Sequence, residues 1–393
     1  MSRKTVILPK GPRAGKRIRA GSPWIFANEL RMDAAAKAIA PGSIVNVRGF
    51  DGQGFGTGYF NPHSLIAVRL LADDCDVTID AEFMAARLGR ALALRDALYD
   101  KPYYRLVHAE GDGLPGLVID RFDDTLTVQT GTAGMERLQP VILAALEKLL
   151  SPRTVILRND APSRALEGLE ADVRVLKGEG RRIQLEENGV RYFADLAEGQ
   201  KTGWYYDQRD NRAFIAALAK GKSVLDAYSY AGGFGIAAAK ACAREVICLD
   251  SSAPALALAE ESARANAVKI QAVRADVFEE LERLGGRGET FDIVLADPPP
   301  FVKSKKDLEA GARAYRRLAR LAASVTAKNG LLMVASCSHN IGMDRFAAEC
   351  AAGLQRTGRR AALIRQAGAS PDHPVHPMLP ESAYLKALVY ALD

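Results

Sequence analysis

The order of hydrophobic and polar residues divides the chain into three parts with different patterns. Up to about residue 73, short apolar runs alternate with glycine-rich turns, which is typical of a small β-barrel or sandwich. We predict strands at 43–48, 54–60 and 65–71. The acidic stretch 73–76 follows, and we place the end of a first domain, 1–73, at this change in composition.

The second part, residues 74–182, mixes helical and strand periodicities. Apolar residues at helical spacing predict helices at 81–99 and 135–150, and apolar runs predict strands at 117–120, 126–129 and 154–157. This pattern indicates a central α+β domain. No catalytic group of residues stands out in it, so we expect an architectural role.

The third part, residues 183–393, opens at a hairpin over 182–193, whose Asn188-Gly189 pair favours a two-residue turn. From residue 223 onward strands and helices alternate. We predict strands at 223–229, 245–250, 270–275, 291–297, 330–336, 361–366 and 384–391. We predict helices at 234–243, 253–267, 277–284, 306–326 and 342–356. This alternation is typical of a doubly wound α/β fold with a parallel sheet.

Ligands of such sheets bind beyond the carboxyl ends of the strands, so the residues that follow each strand are candidates for chemistry. The first strand passes through Asp226 into a turn with Gly232, Gly233 and Gly235, which allow close approach of the backbone to a ligand. A plain glycine turn would look the same, so the glycines alone leave both interpretations open.

Acidic residues end the next three strands. Asp250 lies 24 residues after Asp226, where a carboxylate can bind the two hydroxyls of a ribose. Asp276 can accept a hydrogen bond from an adenine amino group, and Asp297 opens the sequence Asp-Pro-Pro-Pro-Phe. Carboxylates repel phosphate oxygens, and the full G-x-G-x-x-G of dinucleotide binders is missing. The pattern therefore favours S-adenosylmethionine over NAD.

Composition narrows the class of protein. The chain has 393 residues, of which 48% are hydrophobic and 25% charged, which predicts two or three globular domains and excludes collagen-like or disordered chains. We see no secretory signal and no run of apolar residues that could cross a membrane, so we expect a cytoplasmic protein. The five cysteines form no C-x-x-C pair and lie near no histidine cluster, so we expect no metal site.

The net charge of +6 is concentrated at the amino terminus. Residues 1–75 contain 11 basic and 5 acidic side chains, and the rest of the chain is balanced. The basic side chains of the first nineteen residues are Arg3, Lys4, Lys10, Arg13, Lys16, Arg17 and Arg19. A local basic segment on a balanced chain predicts contact with a polyanion.

The motifs together resemble a known family. The segments 226–235, 250, 276 and 297–299 are similar to the cofactor and substrate motifs of class I methyltransferases. With 105–120, 199–212 and 335–340 added, the whole chain resembles the RlmI-like family of large-subunit rRNA cytosine-carbon-5 methyltransferases. The resemblance implies an N-terminal PUA-like RNA-binding domain, a central α+β domain and a Rossmann-like, seven-stranded methyltransferase domain with S-adenosylmethionine as cofactor.

The resemblance also implies roles for individual residues. Cys337 stands where the family has its nucleophile, which adds to carbon 6 of cytosine because carbon 5 alone is too poor a nucleophile. A small buried packing residue at a strand end is the alternative. Asp297 would hydrogen-bond the ring nitrogen or amino edge of the base, which must leave its stack to reach the pocket. Candidate cofactor-binding residues are Asp226, Tyr228, Ser229, Gly232, Gly233, Asp250, Ser251, Asp276 and Gln208.

Several roles stay open. Many RNA cytosine-carbon-5 enzymes carry a second cysteine after the fourth-strand Asp-Pro motif, where this chain has Pro299, so the group that removes the carbon-5 proton is unassigned. His339 is a base, a substrate contact or an ordinary loop residue. The resemblance places a loop near the cofactor that contains Tyr205, Asp207, Gln208 and Arg209; a charged loop packed on the sheet is the alternative. Neither His108 nor Asp120 has an assigned role.

RNA contact has two candidate surfaces. One is the basic amino terminus in front of the small β domain, with Trp24 and Phe26 close by for stacking. The other is the basic stretch 303–320, beside the Asp297 motif, although a solvated helix face would have the same composition.

Two other functions compete with cytosine-carbon-5 methylation. The Asp-Pro-Pro-Phe sequence is also similar to that of enzymes that methylate a base nitrogen without a cysteine, and a non-catalytic RNA-binding protein could retain the same fold. The expected partner is rRNA or the large ribosomal subunit. We expect no membrane partner, and a homodimer is left open.

Overall fold

The structure, a computed structural model, describes residues 3–11, 14–180, 182–197, 199 and 202–393 and forms two compact units. The amino-terminal unit consists of Met1–Arg181, Leu196–Trp204 and Pro371–Ser382. The carboxyl-terminal unit consists of Arg182–Asp195, Tyr205–Ser370 and Ala383–Asp393. The three-domain division with boundaries at 73/74 and 182/183 stays a prediction.

The amino-terminal unit begins with a five-stranded sheet. Its elements are β1 (Lys4–Ile7), α1 (Lys16–Arg19), β2 (Trp24–Phe26), α2 (Ala34–Lys37), β3 (Ser43–Arg48), β4 (Gly54–Phe60) and β5 (Ile66–Ala72), with strand order β1-β3-β4-β5-β2. The three predicted strands are confirmed, and most of their apolar residues are buried; Val45, Val47 and Phe60 are fully buried.

The prediction that the basic amino terminus precedes the small β domain was wrong. Lys4 lies in β1, which pairs with β3 in parallel, and Lys16 begins α1. Strands of four and three residues are too short for apolar alternation to be detected. Arg13 lies outside the described residues.

A second five-stranded sheet follows. Its elements are α3 (Ala81–Leu98), β6 (Tyr103–His108), β7 (Leu117–Phe122), β8 (Thr125–Thr130), α4 (Ala133–Leu150), β9 (Thr154–Asn159) and β10 (Asp172–Lys177), with strand order β10-β9-β8-β7-β6. Both predicted helices are confirmed, and so are all three predicted strands, which correspond to β7, β8 and β9. Asp80 and Thr132 cap the amino ends of α3 and α4 by accepting hydrogen bonds from backbone N–H groups.

Polar side chains cross-link this unit internally, and they include the two residues without an assigned role. The guanidinium of Arg105 binds both carboxylate oxygens of the buried Asp120, and its Nη1 lies 3.2 Å from Nδ1 of His108. The Arg105 backbone N–H donates to Asp372, and Thr202 donates to Asp120. Asp120 therefore ties the segment that holds Thr202 to the second sheet, the Arg105 backbone ties the segment that holds Asp372, and His108 contacts the same arginine.

The carboxyl-terminal unit contains the hairpin and the alternating elements. They are β11 (Arg182–Glu187), β12 (Val190–Asp195), α5 (Arg209–Leu218), β13 (Ser223–Ala227), α6 (Gly233–Lys240), β14 (Glu245–Asp250), α7 (Ala253–Ala265), β15 (Gln271–Arg274), α8 (Val277–Gly286), β16 (Phe291–Ala296), α9 (Leu308–Ser324), β17 (Thr326–Ser336), α10 (Met343–Gln355), β18 (Ala361–Ala367) and β19 (Lys386–Leu392). The hairpin turns at Asn188 and Gly189, both with positive φ, as a type I′ turn requires.

The seven-stranded sheet has the order β15-β14-β13-β16-β17-β19-β18. We predicted a parallel sheet, but the observed sheet is mixed. Strand β19 runs antiparallel to both β17 and β18. A parallel neighbour needs a crossover connection, usually a helix, and the described chain between β18 and β19 contains only the 3₁₀ turn Pro380–Ser382. The carboxyl ends of the parallel strands β13, β14, β15, β16 and β17 lie at one edge of the sheet, together with the amino end of β19. We call this edge the ligand edge.

No helix in the part of the chain that the structure describes is long and apolar enough to span a membrane.

Candidate functional site

The turn after β13 is backbone-strained. Tyr228 and Tyr230 have φ values of 62° and 48°, which non-glycine residues rarely adopt, and Gly232 has φ 75°. A Cβ at Gly232 would lie 2.9 Å from side-chain atoms of both Ala259 and Ile236. Strain of this kind costs about 1–3 kcal/mol per residue and is concentrated at functional loops.

The buried side chain of Asp226 holds the end of this turn through a hydrogen bond. Its side chain is 1% exposed, and Oδ2 accepts a 2.7 Å hydrogen bond from the backbone N–H of Gly235, in the first turn of α6. Burial raises the pKa of Asp226 to about 7, with smaller contributions from the charges of Asp297 and Asp250. The carboxyl group therefore changes charge near neutral pH.

Asp250 and Asp276 both lie at the ligand edge but make different contacts. Asp250 accepts backbone hydrogen bonds from Tyr230 (2.9 Å to Oδ2) and Ser252 (2.8 Å to Oδ1), so it holds the strained turn against its own strand end. Asp276 is exposed and caps α8 through a 3.1 Å bond from the Glu279 N–H to Oδ1. Each carboxylate oxygen has a second lone pair for a ligand.

This edge fits the adenosine part of S-adenosylmethionine. The Ser229 hydroxyl is buried without a hydrogen-bond partner among the described residues, so the turn presents a polar group that a ligand would satisfy. Burial and the charges of Asp276 and Asp250 raise the pKa of the Tyr228 hydroxyl, which therefore stays a neutral hydrogen-bond donor. Ser251 is exposed beside Asp250. The roles of these residues stay predictions.

Gln208 bridges the loop before α5 to the end of β16. It is 2% exposed; its Nε2 donates to Oδ2 of Asp297 over 2.9 Å, and its Oε1 accepts from Nδ2 of Asn211 over 2.7 Å. The ring of Tyr205 packs edge-on against Tyr230, with centroids 5.4 Å apart. The loop that the resemblance placed near the cofactor thus contacts both the strained turn and Asp297. Gln200 and Lys201, at the start of the same motif, lie outside the described residues.

Cys337 follows β17 directly and is partly exposed. Its Sγ lies 4.0 Å from the carbonyl oxygen of Pro298, the residue after Asp297. The flanking Ser336 and Ser338 are buried, and the Oγ of each lies 2.8 Å from the Tyr315 hydroxyl. The structure therefore brings the two predicted catalytic residues to neighbouring strand ends and fixes the turn that carries the thiol.

The other four cysteines have different surroundings. Cys248 and Cys350 are buried, and burial raises the pKa of each thiol. Cys75 belongs to the amino-terminal unit, where its Sγ lies 3.5 Å from the Val47 carbonyl oxygen. Cys242 is exposed shortly after α6, at the opposite end of the sheet from Cys337. These positions leave Cys337 as the cysteine at the ligand edge.

Sequence reasoning missed Lys386, the first residue of β19. It is 4% exposed, and its Nζ donates to the carbonyl oxygens of Ser338 (2.8 Å) and Tyr384 (2.7 Å). A lysine at the start of the apolar run Lys-Ala-Leu-Val-Tyr-Ala-Leu was the available signal.

His339 is exposed and stacks on Tyr384, with ring centroids 5.1 Å apart. The Tyr384 hydroxyl donates to Oδ2 of Asp207. Arg209, the other charged residue of that loop, is buried and lies 3.8 Å from Glu187. Both charged loop residues thus have partners within the protein, and the three possible roles of His339 stay open.

Among the described residues, the basic stretch 303–320 contains both paired and unpaired cations. In the stretch 303–320, Arg316 and Arg317 pair with Glu349 and Glu282. The exposed cations that form no ion pair with a described residue are Lys303, Lys305, Lys306 and Arg313.

Both aromatic residues proposed to stack on RNA have partners within the amino-terminal unit. The Trp24 indole N–H donates to Glu110 over 2.8 Å, and Arg69 lies over its ring. Arg17 lies over the ring of Phe26. Their stacking on RNA stays a prediction. No cluster of three or more metal-ligating side chains is present among the described residues.

Two protein families match different parts of this chain. Residues 11–73 match a PUA-like domain, and residues 167–391 match the S-adenosylmethionine-dependent methyltransferase family. Two solved structures show the same fold: a SAM-dependent methyltransferase from Streptococcus mutans (TM-score 0.82, 21% identity, covering 99% of this chain and 100% of that one) and a methyltransferase complexed with SAH (TM-score 0.83, 21% identity, covering both chains fully).

Relatives of higher identity span nearly the whole chain. A Shewanella frigidimarina protein is 38% identical over 93% of this chain and 94% of its own length, and an Aliivibrio fischeri protein is 36% identical over 97% and 98%. Both are named ribosomal RNA large subunit methyltransferase I. With its PUA-like domain, its methyltransferase domain and S-adenosylmethionine as cofactor, this chain belongs to the ribosomal RNA large subunit methyltransferase I family.

Proposed function

We propose that this protein methylates carbon 5 of a cytosine in 23S rRNA through a covalent adduct with Cys337. The observation that carries the proposal is the placement of the Cys337 thiol 4.0 Å from the Pro298 carbonyl, beside Asp297 at the ligand edge of the sheet. A nucleophile and a carboxylate at adjacent strand ends can act on the same base.

The chemistry assigns one task to each residue. The Cys337 thiolate forms an S–C6 bond with the cytosine, which shifts the C5=C6 electron pair toward carbon 5. Bound S-adenosylmethionine supplies the electrophilic methyl group that carbon 5 receives. Loss of the carbon-5 proton then restores the C5=C6 bond and expels the thiolate.

Asp297 recognises the base in this scheme. Its carboxylate accepts a hydrogen bond from the exocyclic amino group of cytosine, and this fixes the ring relative to Sγ of Cys337. The bond from Gln208 to Oδ2 restricts rotation of the Asp297 side chain, so the carboxylate is oriented before the base arrives.

The cofactor is assigned to the strained turn and the acidic strand ends. Asp250 would take the ribose hydroxyls and Asp276 the adenine amino group. Ser229, Gly232 and Gly233 would line the turn against the ligand. Tyr228, Ser251, Asp226 and Gln208 complete the set of residues assigned to the cofactor side of the site.

The RNA backbone is assigned to the cations of the stretch 303–320 that form no ion pair with a described residue. Lys303, Lys305 and Lys306 follow the Asp297 motif directly, so they lie on the chain that forms the base pocket. Phosphate contacts from such residues position a strand without reading its sequence.

The test is to map methylated cytosines in 23S rRNA, by mass spectrometry, from cells with and without the gene and with Cys337→Ala in its place. The proposal expects one 5-methylcytosine that disappears in the deletion and in Cys337→Ala. Methylation that survives in Cys337→Ala would instead support transfer to a base nitrogen. An unchanged rRNA, together with no binding of S-adenosylmethionine by calorimetry, would support a non-catalytic RNA-binding protein.

A further inference from the structure

A buried lysine lies next to the proposed nucleophile. Lys386 pairs with Ser336 in the antiparallel ladder between β19 and β17, one residue before Cys337. Its ammonium group donates to the backbone carbonyl of Ser338, one residue after Cys337, over 2.8 Å. The lysine therefore contacts both sides of the turn that carries the thiol.

The charge of Lys386 has no carboxylate partner among the described residues. Lysine is almost never fully buried unless it is paired, because removing an ammonium from water is costly. Burial lowers the pKa of Lys386 to about 8, and the negative charge of Cys337 acts in the opposite direction. Since coupling between two charges is reciprocal, the ammonium favours the thiolate form of Cys337 as much as the thiolate favours the ammonium.

The other groups near the Cys337 thiol are neutral or negatively charged, so the positive charge of Lys386 has a large effect on the ionisation of the thiol. Burial raises the pKa of the hydroxyls of Tyr205 and Tyr315, and the charge of Cys337 contributes to both shifts, so these phenols stay neutral. The other titratable groups at this edge are Asp297, Asp207, Tyr384 and His339. The two carboxylates oppose formation of a thiolate, and Lys386 opposes their effect.

We propose that Lys386 is a positioning residue for the nucleophile: its ammonium stabilises the Cys337 thiolate and anchors the turn at Ser338. What the thiolate does to RNA rests on the proposed function, but its ionisation does not. The lysine acts through the cysteine, without contact with the cytosine or the cofactor.

The test measures the ionisation of Cys337 directly. The rate of alkylation by iodoacetamide is followed from pH 5.5 to 10 on the full-length protein, with mass spectrometry of the Cys337 peptide to separate it from the other cysteines. In the wild type, the thiol should titrate below the usual value of about 8.5. Lys386→Met, which keeps most of the volume without the charge, should lower the alkylation rate at pH 7 about tenfold, since a nearby charge shifts a pKa by about one unit or more.

Two variants control the interpretation. Lys386→Arg keeps the charge and should retain a rate within about threefold of the wild type. Lys328→Met removes an exposed lysine from β17 and should leave the rate unchanged. Melting temperatures establish that each variant is folded. An unchanged alkylation profile in folded Lys386→Met would overturn the proposal. A wild-type thiol that titrates at or above about 8.5 would overturn it as well, and this measurement needs the wild-type protein alone.

The outcome separates this inference from the proposed function. If Lys386→Met shifts the thiol titration but Cys337→Ala still methylates rRNA, the covalent route is wrong and the role of Lys386 in ionising the thiol stands. If Cys337 is required for methylation and Lys386→Met leaves the titration unchanged, the covalent route stands and the proposed role of Lys386 is wrong.

Discussion

The side-chain amide of Gln208 donates a 2.9 Å hydrogen bond to the carboxylate of Asp297, which lies 89 residues later in the chain. The Asn211 side chain donates to the Gln208 carbonyl oxygen over 2.7 Å, so the amide nitrogen faces Asp297. The loop before α5 therefore sets the orientation of the carboxylate in the proposed base pocket.

We predict that Gln208→Ala slows methyl transfer. A hydrogen bond to a charged group contributes about 1.5–3 kcal/mol, which corresponds to a decrease in kcat of about 10- to 100-fold if it acts in the transition state. The measurement is the single-turnover rate with saturating rRNA and cofactor. Gln184→Ala, at an exposed position of β11, is the matched control and should retain the wild-type rate. Equal rates for Gln208→Ala and Gln184→Ala would show that Asp297 needs no support from this loop.

The strained turn predicts different effects for two glycine substitutions. Gly232 and Gly221 have nearly equal φ values of 75° and 72°, but only a Cβ at Gly232 meets other atoms within 4 Å. Both alanine variants lose about 1–2 kcal/mol of stability from the left-handed backbone. Gly232→Ala must also displace both Ala259 and Ile236, so we expect its affinity for S-adenosylmethionine to fall at least tenfold, whereas Gly221→Ala binds normally. Calorimetric titration compares the two, and equal affinities would exclude the turn from the cofactor site.

The raised pKa of Asp226 predicts a pH dependence of stability. Because its folded pKa of about 7 exceeds the unfolded value of 3.8, the protonated group stabilises the fold fully below 3.8, and this contribution is lost as the pH rises through 7. Asp226→Asn cannot ionise. Its free energy of unfolding should therefore rise relative to the wild type between about pH 4 and pH 7, by about 1.4 kcal/mol per pH unit, and level off above.

Urea unfolding of the cofactor-free protein, followed by circular dichroism, measures this difference. Asp292→Asn is the control, because a hydrogen bond from the Ser223 N–H holds the pKa of Asp292 below 3.8, and that contribution is lost only as the pH falls below this value. Its difference from the wild type should stay constant from pH 5 to pH 8. A similarly constant difference for Asp226→Asn would contradict the assignment of a neutral, buried carboxyl group.

The basic surface beside Asp297 predicts a change in salt dependence. We expect Lys305→Ala combined with Lys306→Ala to weaken rRNA binding and to reduce the slope of log affinity against log salt by about 1–2, since each lost phosphate contact removes about 0.7–0.9. Lys220→Ala combined with Lys222→Ala removes two exposed lysines before β13, at the opposite end of the sheet, and should leave the slope unchanged. Identical slopes for the two double variants would remove this surface from the RNA interface.

Local patterns predicted most of the fold. In the carboxyl-terminal unit the predicted strands and helices all formed, because apolar periodicity and turn residues act within a few positions of each other. Strand β10 was missed because it is a short edge strand whose alternation is limited to Val173 and Val175, and none of its residues is fully buried. The direction of β19 was predicted wrongly because it depends on a long connection.

The positions of the candidate site residues along the strands could be predicted from the sequence, and their roles stay predictions. Acidic residues at strand ends could be identified because the fold rule places every such end at one edge. The contacts that position them could not: Gln208 and Asp297 are far apart in sequence, and Lys386 reaches Ser338 across 48 positions. Nothing in a local pattern shows that a lysine at the start of an apolar strand is buried against the nucleophile.

Trapping of a covalent adduct tests whether Cys337 attacks carbon 6 of the cytosine. An rRNA fragment carrying 5-fluorocytidine at the mapped position is incubated with the protein and S-adenosylmethionine, and the mixture is separated under denaturing conditions. Because fluorine cannot leave carbon 5 as a proton does, the S–C6 bond cannot be released after methyl transfer. Attack by Cys337 predicts a stable protein–RNA complex for the wild type and for Cys242→Ala, and none for Cys337→Ala. Absence of a complex from wild-type protein that methylates the unfluorinated fragment would contradict it.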